Sequence, residues 1–350
     1  MPLASDLNFK RVLVTRIDRI GDVVLSTPVF EAIKTAYPKC FLGVLVVKET
    51  EPVVSGNPWV DEVIVYDKKG RDRSWWRIFF LGLKLNKKKF DLVIHLHPTN
   101  RVYFLTWIAR IPIRIGYRRR NFYFLTHPFE ERKWQGKKHE AQYNFDLLSS
   151  INIAEPEELK FYFPLKDAAR KELTGILPSH FDHDRYVVFH PSASCVSKRW
   201  APERLARVAD QLKKNYGIFP VLIGEGEGVS HAAQMQELMT ETSLNLAGEL
   251  TLGMLGWLLK GARLLISNDS GPVHIACAVK TPVISIFGRN QAGLSVTRWR
   301  PLSPNSSYLQ KDVGCVDCLA HNCVIDFKCL KELQVEDVLM EAEKYESVLV

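Results

Sequence analysis

The amino-acid sequence predicts an α/β protein built from two doubly wound, parallel-sheet domains. The chain has 350 residues, which is more than one hydrophobic core usually covers. Short apolar runs alternate with amphipathic segments of helical spacing, and this pattern is typical of βαβ units and therefore of parallel sheets. The alternation resumes in the second half of the chain, so we expect two lobes with a cleft between them.

The N-terminal half contains four predicted strands and three predicted helices. The strands are short runs rich in branched apolar residues, at 12–15, 41–47, 60–67 and 90–97. Apolar residues at helical spacing predict the first helix, and they are Leu25, Val29, Ile33 and Ala36. The other helices are predicted at 73–89 and 139–153. The basic stretch between them is less regular, and no element is predicted there.

A Pro- and Glu-rich segment at 154–169 places the domain boundary near 160–180. We assign 1–170 to the first domain, 171–333 to the second and 334–350 to a C-terminal helix.

The second half repeats the strand and helix alternation. Strands are predicted at 186–190, 218–224, 263–269 and 282–288, and helices at 201–217, 251–262, 271–280 and about 334–347. Pro202 suits the first turn of its helix and Gly217 suits the C-terminal cap. In doubly wound folds, ligands bind beside the carboxyl ends of the strands. Functional residues are therefore expected in the strand-to-helix loops.

The composition is that of an ordinary globular protein. No uninterrupted apolar run approaches the roughly 18 to 20 residues that a membrane-spanning helix needs. The N-terminal stretch 1–11 has no apolar core and no cleavage pattern, so export is not expected and a cytoplasmic location is predicted. Seven cysteines in such a chain argue against a disulfide framework.

The net charge of +8 is unevenly distributed. Residues 67–138 carry 19 Lys/Arg and 5 Asp/Glu, so this segment alone has a net charge of +14. The remainder is net negative by about 6. This asymmetry indicates an anionic partner on the first domain, such as nucleic acid, a phosphorylated glycan or an anionic membrane surface. A basic face that only keeps the protein soluble is the alternative interpretation.

The segment "SNDSGPVHIA" follows an apolar strand and begins a helix. Ser270, Gly271 and the next amides therefore lie at a positive helix N-terminus, where anions bind. His274 lies one turn further along and can face the same anion, while Asp269 can orient these donors or bind a sugar hydroxyl. The alternative is a capped helix with a core-facing histidine.

The segment "HPSASCVSKRWAPERL" also joins a strand to a helix. Lys198 can neutralise a phosphate there, and Ser192 and Ser194 can donate hydrogen bonds to it. Glu225, in the flexible "GEGEG" loop, is a candidate for contact with a ribose or base. We interpret Trp200 as a packing anchor. The chain has neither a Walker loop nor a dinucleotide-binding Gly-x-Gly-x-x-Gly.

Charged residues follow the first strand in "RVLVTRIDRIGDVV". Arg16 and Arg19 are candidates for holding an anionic acceptor, and Gly21 for a tight turn. Asp22 either caps the following helix or projects into the cleft, where it can deprotonate a hydroxyl nucleophile. One carboxylate opposite an anion site fits group transfer with a phosphate leaving group better than glycoside hydrolysis by two carboxylates.

Three segments together resemble glycosyltransferase family 9, the ADP-heptose:lipopolysaccharide heptosyltransferases. They are "RIDRIGDVVLSTP", "HPSAS...KRWAPE" and "NDSGPVHIACAVKTPVISIFG", in this order. The resemblance implies a GT-B architecture of two Rossmann-like domains, with the acceptor bound mainly by the first and the ADP-sugar by the second. It also implies an inverting, metal-independent transfer to the lipopolysaccharide inner core at the inner face of the cytoplasmic membrane, without a cofactor.

At the matching positions, the resemblance makes Asp22 the general base. Lys198 would hold the diphosphate and stabilise the departing ADP. The other residues implied to bind the donor are Asp269, Ser270, Gly271 and His274, with Ser194 and Glu225 less closely matched. No Asp-x-Asp metal motif is visible, and a helix N-terminus with a lysine can replace a divalent cation at the leaving group.

Three further features of the chain bear on its function. Arg114, Arg118, Arg119 and Arg120 are candidates for binding acceptor carboxylates or phosphates. The aromatic segment 75–85 suits an interfacial membrane helix or a buried amphipathic helix, and we favour the buried one. Cys315, Cys318, Cys323 and Cys329, with His321, could bind zinc or iron, but their spacing is not that of a common zinc ribbon and we expect no metal.

The acceptor and the exact sugar are not determined by these residues. A different sugar donor or a protein acceptor would keep the same fold. A non-catalytic nucleic-acid-binding protein is the alternative from another class. The lack of a recognised nucleic-acid module and the anion loop of the second domain argue against it.

Overall fold

The computed structural model describes residues 8–315 and 317–350. Residues 1–7, most of the N-terminal stretch discussed above, lie outside the described part. The chain divides into two compact units. The first extends to Trp134 and includes Lys138–Pro164, and the second comprises Gln135–Lys137 and Leu165–Val350.

The first unit contains a parallel sheet of six strands. The strands are β1 (Arg11–Thr15), β2 (Phe41–Val47), β3 (Glu62–Tyr66), β4 (Leu92–His95), β5 (Ile113–Arg118) and β6 (His127–Glu130). Their order is β3-β2-β1-β4-β5-β6, which is the Rossmann order with its switch point between β1 and β4. The central strands are apolar on both faces because helices cover both sides of the sheet.

The helices of the first unit are α1 (Ile20–Val24), α2 (Thr27–Ala36), α3 (Glu51–Val54), α4 (Trp75–Asn86), α5 (Asn100–Ile108) and α6 (Glu140–Leu148). The helix predicted after β1 is divided into α1 and α2. The basic stretch left without a prediction forms α5, β5 and β6.

The second unit repeats this design with a second parallel sheet of six strands. The strands are β7 (Tyr186–His190), β8 (Phe219–Leu222), β9 (Leu244–Asn245), β10 (Leu264–Asn268), β11 (Val283–Ile286) and β12 (Ser306–Leu309). The order β12-β11-β10-β7-β8-β9 places the switch point between β7 and β10. The prediction of two Rossmann-like parallel sheets is confirmed.

The helices of the second unit are α7 (Asp167–Ile176), α8 (Pro202–Tyr216), α9 (Glu227–Leu238), α10 (Leu252–Gly261), α11 (Gly271–Ala278), α12 (Val296–Trp299), α13 (Lys328–Glu332), α14 (Val335–Glu343) and α15 (Glu346–Leu349). The last predicted helix forms two helices, because the helical conformation is interrupted at Lys344 and Tyr345. Short 3₁₀ turns occur at Lys48–Thr50, Phe122–Phe124, Lys133–Gln135, Ser149–Ile151, Val196–Lys198, Ala292–Leu294 and Ala320–Asn322.

Trp200 anchors the packing of the second unit, as predicted. Its side chain is 0% exposed, and its indole Nε1 donates a hydrogen bond to the Leu333 carbonyl at 3.1 Å. Its backbone N–H donates to Asn268 Oδ1 at 2.9 Å. One residue therefore connects the loop before α8, the end of β10 and the segment before α14.

Trp200→Ala is expected to lower the free energy of unfolding of the second unit by about 3 to 5 kcal/mol, because it opens a large cavity and removes one of the two hydrogen bonds to the Leu333 carbonyl, leaving that from Arg204. Denaturant unfolding followed by circular dichroism measures this. Trp134, which is 69% exposed, gives the control: its replacement by Ala is expected to change stability by less than about 0.5 kcal/mol. Equal effects of the two substitutions would contradict the anchor role.

The helix α4 does not match the favoured expectation of a buried amphipathic helix. Ile78, Gly82 and Leu85 are buried, but Trp76 is 76% exposed and Phe80 61% exposed. The reason is that α4 is apolar on both faces, and only one of them packs against the unit. Within the described residues, no helix is long and apolar enough to cross a membrane.

Candidate functional site

The first cluster of candidate residues lies at the switch point of the first sheet. Arg16 follows β1 directly, and its backbone N–H pairs with the Leu45 carbonyl of β2 at 3.0 Å. Asp22 is the third residue of α1, while Arg19 occupies the N-cap position. Gly21 lies inside this helix and is buried, so it does not form the tight turn that the sequence suggested.

Arg16 is the centre of a buried network of charges. It is 1% exposed, and its Nη2 contacts Asp22 Oδ1 at 2.7 Å and Glu140 Oε1 at 3.0 Å. Its Nε contacts Asp18 Oδ1 at 2.8 Å. Although burial opposes its charged form, these three carboxylates raise the pKa of Arg16. The guanidinium therefore faces protein carboxylates, and the geometry favours a positioning role over the predicted contact with an acceptor.

The network continues outward through a histidine and a lysine. His97 Nδ1 lies 2.8 Å from Asp18 Oδ2, and Lys133 Nζ lies 2.6 Å from Glu140 Oε1. Burial opposes ionisation of Asp18, but Arg16 and then His97 lower its pKa below the ordinary value. Asp18 is therefore held in the ionised form.

The pKa of Asp22 is shifted in the opposite direction to that of Asp18. The side chain of Asp22 is 13% exposed. Burial and then the negative charge of Asp18 raise its pKa to about 6, while Arg16 opposes this shift. The pKa values of two carboxylates in one network, Asp18 and Asp22, are thus shifted apart. Such a difference is a common basis for assigning acid and base roles. Asp22 is the member whose proton can be exchanged near neutral pH.

The other predicted acceptor residues are dispersed over the surface of the first unit. Arg19 is exposed. Arg114 is half-buried, and its guanidinium donates to the backbone carbonyls of Phe124, at 2.6 Å, and Ile111. These bonds bind it to its own loop, so the geometry does not favour the predicted acceptor contact for Arg114.

The remaining arginines are more accessible to solvent. Arg118 and Arg120 are exposed, and Arg118 lies over the Phe122 ring at 4.3 Å. Arg119 is paired with Glu131. Arg118 and Arg120 therefore remain the accessible cations of this segment.

The second cluster lies at the switch point of the second sheet. Ser270, the N-cap residue of α11, lies 3.0 Å from His190 Nδ1 and 2.9 Å from Ser267 Oγ. Burial and then His231 lower the pKa of His190 to about 4. This hydrogen-bonded group joins the ends of β7 and β10 and fixes the N-terminus of α11.

Two cations share one carboxylate beside this helix N-terminus. Lys198 Nζ contacts Asp269 Oδ2 at 2.7 Å and the Asp269 backbone carbonyl at 3.1 Å. Arg289 Nη2 lies 3.4 Å from the same Oδ2. Asp269 is therefore 5% exposed and orients the cations, which is one of its two predicted roles. Two cations against one carboxylate leave a net positive charge beside the amides of α11.

His274 is buried in the same cluster. It is 4% exposed, and its Nδ1 has no hydrogen-bond partner among the described residues. Burial lowers its pKa to about 4, with Asp269 opposing and Lys198 assisting that shift. A buried ring nitrogen without a hydrogen bond lowers the stability of the folded protein, unless a ligand supplies the missing hydrogen bond.

The structure gives less support for donor binding by the three remaining candidates, Ser192, Ser194 and Glu225. Ser192 is buried, and its Oγ lies 3.2 Å from His231 Nδ1. Ser194 and Glu225 are exposed on the loops that follow β7 and β8. These loops lie at the same edge of the sheet as Ser270, but the structure gives neither Ser194 nor Glu225 a buried position.

Several members of both clusters were missed by sequence reasoning. In the first unit these are Asp18, His97, Lys133, Glu140 and Asn144, whose Oδ1 accepts from Arg16 Nη1 at 3.0 Å. In the second unit these are His190, Ser267 and Arg289. A signal existed for Arg289, because it follows the strand "PVISIFG" at the edge that carries Asp269. No local signal marks Glu140.

The four late cysteines are reduced and line one cavity together with Gly288 and Asn290. Cys329 Sγ donates to the Gly288 carbonyl at 2.9 Å, and Asn290 N–H donates to Cys318 Sγ at 3.3 Å. Burial raises the pKa of the Cys329 thiol. Within the described residues, no group of three or more His, Cys, Asp or Glu side chains has a geometry that could hold a metal ion.

Comparison with known proteins adds three kinds of similarity. The model of the family described as glycosyltransferase family 9 (heptosyltransferase) matches residues 78–328. Lipopolysaccharide heptosyltransferase 3 of Escherichia coli K12 is 28% identical over 338 residues, which cover 93% of this chain and 94% of that protein.

Solved structures extend the similarity to the fold. The crystal structure of a family 9 glycosyl transferase from Veillonella parvula has a TM-score of 0.87 at 26% identity, covering 98% of this chain and 99% of that one. The ADP-heptose LPS heptosyltransferase II of Escherichia coli has a TM-score of 0.78 at 21% identity, covering 96% and 98% of the two chains.

Proposed function

The chain belongs to glycosyltransferase family 9, the heptosyltransferase family, and is therefore a glycosyltransferase; from this premise we propose that it transfers a heptose from ADP-heptose to the inner core of lipopolysaccharide. The relative with 28% identity is named a lipopolysaccharide heptosyltransferase, and the E. coli neighbour is named for ADP-heptose. The observation that supports the chemistry most directly is the raised pKa of Asp22, about 6, beside a carboxylate that stays ionised.

Asp22 is the proposed general base. Arg16 holds Oδ1 of Asp22 at 2.7 Å, and we assign the other carboxylate oxygen, Oδ2, as the proton acceptor. It removes the proton of an acceptor hydroxyl as that oxygen attacks the anomeric carbon of the sugar. The ADP leaves from the opposite face, so the transfer inverts the configuration at that carbon. A pKa near the working pH suits a group that must accept a proton and release it again.

The Lys198 and α11 cluster is the proposed donor site. The departing ADP gains negative charge as the glycosidic bond breaks, and preorganised donors stabilise that charge. Lys198 gives two of its hydrogen-bond donors to Asp269, so its third N–H is directed to the diphosphate. The Nδ1 of His274, which has no partner among the described residues, binds a hydroxyl or phosphate of the donor. This set of donors supports a metal-independent transfer.

The acceptor is proposed to bind to the basic first unit. Arg118 and Arg120 are the exposed cations that we assign to phosphates or carboxylates of the inner core, with Arg19 closer to Asp22 along the chain. We also propose that the enzyme works as a peripheral protein at the cytoplasmic face of the inner membrane, where such a glycolipid acceptor is anchored.

The proposal is tested by incubating the purified protein with ADP-heptose and a truncated core acceptor. Release of ADP that depends on the acceptor is the expected result, with heptose added in inverted configuration and full activity in a chelator. Thermal-shift measurements against a panel of nucleotide sugars check the donor. A shift with another nucleotide sugar and none with ADP-heptose would contradict the donor assignment, and salt-sensitive binding to nucleic acid without nucleotide-sugar affinity would contradict a transferase role.

The buried charges of Glu140 and Lys133 are expected to set the pH dependence of transfer. The negative charge of Glu140 raises the pKa of Asp22 and the positive charge of Lys133 lowers it. Because Asp22 must be deprotonated to act as a base, Glu140→Gln is expected to move the acidic limb of the kcat profile to lower pH. Lys133→Met is expected to move it to higher pH.

Profiles of kcat against pH for the two variants measure these opposite shifts, and thermal unfolding checks that both proteins are folded. Glu130→Gln is the matched control, because Glu130 is exposed and paired with Arg132. Loss of activity without a displaced limb would indicate a purely structural role for Glu140 and Lys133.

A further inference from the structure

The helix α4 presents an unusual amount of aromatic surface to solvent. Trp76 is 76% exposed, Phe79 36%, Phe80 61% and Leu83 44%. These four residues recur at helical spacing and so share one side of the helix, which we call the outer face. Several large aromatic side chains on one face form a contiguous apolar patch, and such patches usually mark an interaction site.

The outer face is fixed in its exposed position. On the opposite side of α4, Ile78, Gly82 and Leu85 are buried. A Cβ atom added at Gly82 would lie 2.6 Å from Cγ2 of Ile108, so the glycine allows α4 to approach α5 closely. Because this side is packed, α4 cannot turn its aromatic residues inward without losing that contact.

Further aromatic side chains are exposed on α5 and the following turn. Trp107 is 47% exposed and Tyr123 is 67% exposed. The ring of Phe104 contacts Trp75 at 5.6 Å and Trp107 at 6.0 Å between centroids. Aromatic contacts through Trp75 therefore connect the first turn of α4, next to the outer face, with the exposed rings of α5.

The charges around the outer face are almost all positive. Arg77 and Lys84 are exposed. Because successive residues of an α-helix are about 100° apart around its axis, both lie beside the outer face. Residues 71–89 contain seven Lys/Arg and one acidic residue, Asp72. Asp72 is 4% exposed and paired with Arg71 at 3.1 Å. The apolar surface therefore has a cationic border that lacks exposed carboxylates in this segment.

We propose that the outer face of α4 docks the protein on the anionic surface of a lipid bilayer. Tryptophan and phenylalanine favour the interface between water and lipid, and cations beside them are attracted to anionic headgroups. A second copy of the chain is a less suitable occupant, because its equally cationic border would be repelled.

The position of this surface in the first unit suggests what docking achieves. The helices α4 and α5 both begin at the carboxyl edge of the first sheet, the edge that carries Asp22. Arg101 of α5 lies over the Trp75 ring at 5.3 Å and its Nη1 donates to Tyr66 Oη at 3.3 Å. Docking through α4 would bring headgroups near the acceptor side of the site. This last step rests on the proposed transfer to lipopolysaccharide, whereas binding of the outer face to a bilayer does not depend on which reaction the protein catalyses.

Sedimentation of the purified full-length protein with vesicles tests the docking proposal. We expect binding to vesicles that contain phosphatidylglycerol, weakened by salt, and little binding to vesicles of phosphatidylcholine alone. Trp76→Ser with Phe80→Ser is expected to weaken binding at least about tenfold, because two aromatic side chains no longer enter the interface. Arg77→Glu with Lys84→Glu is expected to abolish the preference for anionic lipid.

A matched control removes exposed apolar side chains elsewhere. Leu238 and Met340 are 44% and 60% exposed on the second unit, and their joint replacement by Ser is expected to leave vesicle binding unchanged. Transfer to a delipidated, soluble acceptor is measured for all variants. That activity is expected to persist in the α4 variants, and its absence in every protein would count against the proposed function and not against docking.

Two results would overturn the docking proposal. One is equal vesicle binding by the wild type and the Trp76→Ser, Phe80→Ser variant. The other is a wild-type protein that does not bind vesicles but forms a dimer in analytical ultracentrifugation. In that case the Trp76→Ser, Phe80→Ser variant would be monomeric. The second result would identify the outer face as an interface between copies of the chain.

Discussion

Asp22→Asn is expected to lower kcat of heptose transfer by about 10² to 10⁴-fold, the range for loss of a positioned general base. The amide keeps the size of the carboxylate and an oxygen for Arg16, which lies 2.7 Å from Asp22 Oδ1. It cannot accept the proton of the attacking hydroxyl. Binding of ADP is expected to be unchanged, because the donor cluster belongs to the second unit.

The pH profile gives a second signature of this base. Since the pKa of Asp22 is raised to about 6, wild-type kcat is expected to fall by about tenfold per pH unit below that value. The residual rate of Asp22→Asn is expected to lack this limb. Asp146→Asn is the control, because Asp146 is paired with Lys138 at the surface. A variant at position 22 with nearly full rate, or with the acidic limb preserved, would remove the assignment.

Lys198→Met is the second substitution with a large expected effect. It removes the cation nearest to Asp269 and leaves that 5% exposed carboxylate with Arg289 alone. Loss of one preorganised donor to a developing charge typically lowers kcat by about 10² to 10³-fold. Affinity for ADP is expected to fall as well, since the site loses its net positive charge.

Steady-state kinetics with ADP-heptose and calorimetric titration of ADP measure the two effects of Lys198→Met separately. Lys311→Met is the control within the same unit, because Lys311 is 40% exposed and paired with Asp337. Normal ADP affinity together with normal kcat in Lys198→Met would show that the diphosphate binds elsewhere.

The elements that the sequence predicted well are those with strong local signals. The limits of β2, β7 and α8 agree closely with the predicted ranges because their apolar runs are bounded by turn or cap residues. The basic stretch that forms α5, β5 and β6 gave no such signal. Its strand β6 has the sequence "HPFE", which has little apolar periodicity. This strand lies at the edge of the sheet, where it pairs with β5.

Arg16 illustrates why a location predicted from sequence does not settle a role. Its position directly after β1 predicted that it would lie at the carboxyl edge of the sheet. Its 1% exposure depends on Glu140 and Asn144, which are 124 and 128 residues away in the chain. Sequence spacing carries no information on such pairs, so the sequence could not indicate the buried contacts that favour a positioning role for Arg16.

The sequence by itself determined the two doubly wound units and the strand-to-helix loops that carry Asp22, Lys198 and Ser270. These features follow from the local periodicity of apolar residues and from the geometry of parallel sheets. The tertiary structure decided which charges are buried together, and therefore that Asp22 has a raised pKa, that Arg289 joins Lys198, and that one face of α4 remains exposed. Electrostatic environment and burial are sums over residues distant in the chain, and they exist only after the sheets and helices have packed.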